Sequence, residues 1–197
     1  MKELDAINLV LRNCGKPAIN EVTDSDGDAA LVQGTLRRER RKTLAAGFPF
    51  NTNRVTLSAD VSGKIPIDKS FLKILLPDAN LSYRDDGAGN LFIWDVRENV
   101  YWTTAVTNVW VTFDIEDYTL IPELFMEWIA RQSAAEFYHE VNQQASSALE
   151  FKAERAKAKA MNSLPAESVT IGTGWAGLQN YRAGIPINVG GAWLYLN

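Results

Sequence analysis

Carboxylates are the residues of this chain whose types and spacing come nearest to chemistry. Asp85 stands beside Asp86, and Asp114, Glu116 and Asp117 cluster further on. Two carboxylates converging in a cleft can serve a glycan hydrolase as acid and base or as acid and nucleophile, and a group of three can hold a metal ion. Both groups fall where turns and helix starts ordinarily carry acids, so their expected task is to shape the backbone. A third acidic run, Asp24 to Asp28, has the look of a calcium loop. Gly27 would take the sixth position of such a loop only if Val22 took the first, and Val22 has no side-chain oxygen. The run therefore reads as a turn that feeds acids into a helix N-terminus.

Other reactive residue types are scarce. Cys14 is the one cysteine and His139 the one histidine, which excludes a disulfide within the chain and a standard zinc cluster. His139 is expected near a helix end, partly buried or complementing the dipole. No phosphate-loop, zinc-protease, nucleophile-elbow or dinucleotide motif occurs. The run IGTGWAG from Ile171 to Gly177 has the glycines of a phosphate cradle but no following helix whose N-terminus would hold the anion. The sequence thus predicts no catalytic residue, no cofactor and no metal.

Arg37, Arg38, Arg40, Arg41 and Lys42 crowd one stretch, with Glu39 the only acid among them. Spread over more than one helical turn, these cations cannot all face one way. The plain expectation is a solvated face whose last cations suit the helix dipole. The sharper one is contact with an acidic neighbouring subunit or with phosphate. A formal net charge of −4 and a pI near 5.1 argue against coating nucleic acid through overall charge. Nothing approaches the ~20 apolar residues of a membrane helix, and the opening MKELDAINLVLRNCG lacks the continuous apolar core of a signal peptide.

The elements that must position these residues follow from periodicity. Leu4, Ile7, Leu11 and Cys14 make one apolar stripe, closed by Asn13 and Gly15. Helices are predicted over 3–14, 27–46, 122–140 and 144–162, the third opened by Pro122 and the fourth apolar at Ala148, Leu149, Phe151, Ala156 and Ala160. Between them lies a β region over 52–116, with strands from Asn53, Phe71, Leu81, Asn90 and Thr107 and a hairpin turn at Asp85, Asp86 and Gly87. The predicted fold class is α+β: about four helices, two N-terminal and two C-terminal, packed with a small and mostly antiparallel β layer. This makes one domain over 1–163, followed by an extended arm over 164–197.

That arm is neither a Gly/Ser linker nor a periodic core element. It carries six glycines together with Trp175, Leu178, Tyr181, Ile185, Ile187, Trp193, Leu194 and Tyr195. The combination predicts a docking segment that can bend, with aromatic anchors for a partner.

In order and spacing, LDAINLVLRNCGKPAINEV at Leu4 to Val22, the acidic DSDGDAA, GFPFNTNRVTL at Gly47 to Leu57 and IPELFMEWIARQSAAEFY at Ile121 to Tyr138 resemble the tail tubular protein A family of T7-like short-tailed bacteriophages. In that family an aromatic residue, often Trp, precedes the Phe-Asn pair, where this chain has Pro49. The resemblance implies a non-enzymatic virion protein, the head-to-tail adaptor or gatekeeper. It would form a dodecameric ring between the portal protein and a tail nozzle resembling tail tubular protein B, at the head-tail junction. Genomic DNA would pass its channel without tight binding, assembly would occur in the host cytoplasm, and no membrane would be involved. Arg37, Arg38, Arg40 and Arg41 on one side and Asp85 and Asp86 on another are candidate faces of the heterologous interface that such a ring requires. A virion-associated glycan hydrolase is the alternative, and a DNA-binding protein using the basic helix a lesser one.

Overall fold

In the computed structural model, residues 1–22 and 27–164 are described in full, and residues 187–189 and 192–194 by their backbone. The fold is α+β, with four helices and antiparallel sheets, and the chain divides into two units. One unit takes Met1–Thr43 and the chain from Ile115 through the last helix; the other contains Leu44–Asp114.

In the helical unit, α1 spans Glu3–Asn13 and buries Ala6, Ile7, Val10 and Leu11. Its end is fixed by Gly15 at φ +71°, which lets Gly15 N donate to Arg12 O and Lys16 N donate to Leu11 O at 2.9 Å. The Asn8 side chain then ties down the returning backbone, accepting from Ile19 N at 2.8 Å and donating to Ile19 O at 2.9 Å. The second helix, α2, runs Gly27–Leu44 and buries Ala29, Val32, Leu36 and Leu44.

A 3-10 turn at Tyr118–Leu120, capped by Asp117, leads to α3 at Glu123–Asn142. Pro122 precedes the first helical residue rather than occupying it, and Gln143 ends the helix at φ +54°. α4 spans Ser147–Asn162 and turns back along α3, with Leu149, Ala153, Ala156 and Ala160 buried at spacings of four, three and four. Small side chains let the two helix backbones approach closely. Phe151 and Ala148, expected on this face, point to solvent, because the buried strip is centred on Ala153 and Phe151 falls off it.

In the β unit, one sheet has the order β1-β7-β3, from Thr52–Leu57, Val106–Phe113 and Phe71–Leu75. In the other, β5 (Leu91–Asp95) pairs with β4 (Leu81–Asp85) and with two short strands, β2 (Pro66–Ile67) and β6 (Val100–Tyr101). All pairings are antiparallel. Leu57, Ile65, Leu76, Leu81, Ile93, Val106, Val109 and Val111 form the core.

Strict alternation would send Val106 and Val109 to opposite faces. Between Val55 and Leu57 the register slips by one, and Asn108 sits at φ +59°, so β7 carries an extra residue there. That bulge lets Val106, Val109 and Val111 all point inward.

Asn51 joins the end of α2 to β7. Fully buried, it accepts from Phe48 N at 2.8 Å and donates to Leu44 O and Phe113 O at 2.9 and 3.0 Å. Gly47, at φ +83°, makes the turn possible: a Cβ there would stand 3.2 Å from Thr112 Oγ1.

Beyond α4, β8 (Ile187–Val189) and β9 (Ala192–Leu194) pair as an antiparallel hairpin. Ile187, Trp193 and Leu194 of the expected docking segment fall on it. Trp175, Leu178, Tyr181, Ile185 and Tyr195 lie outside the described residues.

Candidate functional site

Of the carboxylates singled out in the sequence, Asp85, Asp86 and Asp117 shape turns. Asp85 and Asp86 close the β4–β5 hairpin: Asp85 Oδ1 accepts from Gly87 N at 2.6 Å, and Asp86 Oδ1 accepts from Ala88 N at 2.8 Å and Asn90 N at 3.2 Å. The Ala88 amide and the Asn90 side chain hold the Asp86 carboxyl below the usual carboxylate range. Asp117 accepts from the Thr119 hydroxyl and amide, which lower its pKa in the same way. Asp60 and Asp68 repeat the device with Ser62 and Ser70. Among the described residues, no group of three or more His, Cys, Asp or Glu side chains is placed to hold a metal.

The cations of α2 divide by position. Arg37, Arg38, Arg41 and Lys42 are exposed, while Arg40 is 6% exposed. Arg40 donates to Glu116 O at 3.1 Å and lies over the Tyr118 ring at 5.4 Å, so it fastens α2 to the segment before α3. Arg38 pairs with Glu140 of α3, which also accepts from Thr35 at 3.3 Å. The exposed cations therefore form part of the surface, and Arg40 part of the helical unit's own structure.

His139 is exposed in the last turn of α3, where an imidazole complements the dipole. Cys14 is half-buried; its thiol donates to Ala134 O at 3.4 Å, and burial pushes its pKa up against the opposing effect of Lys16.

A second basic surface lies on the helical hairpin. Between α3 and α4, Glu127, Arg131, Lys152, Arg155, Ala156 and Lys159 line a groove of about 440 Å³. On α4, Lys152, Arg155 and Lys159 follow at spacings of three and four, so one helix face projects all three. Glu127 is the one carboxylate of the lining among the described residues. It accepts from Arg131 Nε at 3.0 Å and Nη2 at 2.8 Å and lies 3.6 Å from Lys159 Nζ. These cations, Arg131 foremost, hold its carboxyl below the usual range. Lys152 reaches Asn13 at 3.5 Å, and Arg155 lies 5.9 Å over the Phe151 ring. The basic character of α4 is legible in its sequence. Its convergence with Arg131 is not, because that depends on how α4 folds back on α3.

Among the described residues no helix is long and apolar enough to cross a membrane. The arrangement consists of capped turns, a polar seam joining α2 to α3 and a basic groove on a helical hairpin.

Residues 4–170 match the family described as Tail tubular protein. The chain is 31% identical over 140 residues to Tail tubular protein A of Klebsiella phage KP34, an alignment covering 70% of this chain and 72% of that protein. The match spans both helical segments and the whole β unit, so the chain belongs to the tail tubular protein family of bacteriophage tail structural proteins.

Proposed function

We propose that this tail protein is the head-to-tail adaptor of its virion: a ring, dodecameric by family resemblance, between the portal protein and the tail nozzle, with a channel that passes the genome. The observation that carries the reading is the family match over residues 4–170. The charge distribution supports it. A closed ring is built from two different faces per subunit, and this chain presents concentrated cations on α2 and on the α3–α4 groove together with an overall acidic surface. Net negative charge also suits a conduit for DNA, since a uniformly basic wall would retain phosphate.

Of the α2 arginines, Arg37, Arg38 and Arg41 are exposed for such an interface, with Asp85 and Asp86 at the base of an exposed hairpin tip. The segment after α4 is proposed as the docking arm, with Trp175, Tyr181, Trp193 and Tyr195 as its anchors. The test is reconstitution with the purified portal ring, imaged by electron microscopy. A ring of this chain seated on the portal is the expected result, and absence of binding under conditions that preserve both proteins would overturn the reading.

A further inference from the structure

We infer that the α3–α4 groove receives the β4–β5 hairpin tip of a second copy of this chain. The inference rests on the ring reading above and names one contact that would close the ring. Among the described residues, the groove holds four cations around the single carboxylate of Glu127, a local surplus of three positive charges. The rest of a chain whose net formal charge is −4 therefore carries −7. Another copy of the same chain is thus a predominantly acidic partner, which argues for a protein occupant from the chain's own composition.

Among that copy's acidic elements, the hairpin tip fits best by shape. Asp85 and Asp86 stand exposed at its base, and the tip itself is Gly87, Ala88 and Gly89, slim enough for a groove of about 440 Å³. The carboxylates are held in place by the turn amides, and those same bonds favour the charged form of Asp86. Each oxygen that accepts an amide retains capacity for a cation, so the turn and the contact do not compete. On the groove side, Lys152 and Arg155 are exposed, and among the described residues neither is paired with an acid in the way that Arg131 is paired with Glu127. A contact between groove and tip is heterologous, so it propagates from copy to copy.

The test is a double-mutant cycle on full-length chain assembling on portal rings, with bound copies counted by native mass spectrometry over a concentration series. One variant is Lys152→Gln with Arg155→Gln, both at exposed positions. The other is Asp85→Asn with Asp86→Asn, which removes charge but keeps the Oδ1 acceptors that form the turn. Each pair is expected to raise the concentration needed for ring filling about tenfold, and the four-fold variant no further than either pair alone. Melting temperatures matching wild type confirm that the variants fold. Unchanged filling, or losses that multiply to about a hundredfold, would overturn the contact while leaving the ring reading intact. Failure of wild-type chain to form any ring would overturn both. Loss of DNA retention by the groove variant with ring filling unaltered would reassign the groove to nucleic acid.

Discussion

Asn51 shows how a residue with no chemistry to perform can still be indispensable. Three backbone groups, Phe48 N, Leu44 O and Phe113 O, depend on its side chain in a buried setting. Asn51→Ala leaves all three without that partner, and each orphaned buried group costs about 1–3 kcal/mol. The expected loss is therefore about 3 kcal/mol or more, read from urea unfolding midpoints. Asn51→Asp should fare no better, because a carboxylate cannot donate to the two carbonyls. Aspartates of the turns act at the same scale through pH. Asp60, Asp68, Asp86 and Asp117 all titrate below their usual 3.8 in the folded chain. In the unfolded chain they bind protons at higher pH, so the stability they lend is complete above the unfolded value and is lost as pH falls through the folded one. Unfolding midpoints should hold steady near neutrality and drop below ~pH 4. Replacing all four with Asn should flatten that drop.

Element by element, what the sequence reveals depends on whether local rules decide the outcome. The end of α1 is legible, because Asn13 and Gly15 announce it and the structure closes it through Gly15 at φ +71°. The β4–β5 hairpin was legible for the same reason, as its turn chemistry resides in adjacent residues. The strand β7 was legible as a strand but not in its facing, since Asn108 inserts a bulge that no period-two pattern encodes. The two-residue strands β2 and β6 have too little sequence to signal at all and exist by pairing with β5. On α4 the sequence places Leu149, Ala156 and Ala160 on the buried strip, as found, but it omits Ala153 and adds Ala148 and Phe151, the latter 65% exposed. The strip itself makes a prediction. Ala153 is 1% exposed against α3, so Ala153→Leu must push the helices apart and should cost about 1–3 kcal/mol. The matching change at exposed Ala148 should leave the melting temperature within about 1 °C, because a surface substitution of this kind touches no packed neighbour.

Across the whole molecule, charge and connectivity matter more than any single side chain. Overall acidity argues against a nucleic-acid coat, but it conceals the α3–α4 groove, whose α3 and α4 residues are separated by more than twenty positions and meet only because the chain reverses after Gln143. The same distinction between local and global applies to the segment following α4. Its aromatic and glycine content was evident in the sequence, and its task as a docking arm is proposed from that content. Among the described residues, α1 to α4 bury one core and Leu57 to Val111 form the other. A chain ending at Leu164 should therefore keep its circular dichroism spectrum and a cooperative melt, while losing association with the portal ring in a co-sedimentation assay. Wild-type binding by the truncated chain would remove the arm from the portal contact and leave the surfaces of the two folded units to account for it. Loss of the cooperative melt would instead mean that residues beyond 164 complete one of the cores, and full-length chain with Trp175, Tyr181, Trp193 and Tyr195 each changed to Ser would then be the variant that separates docking from folding.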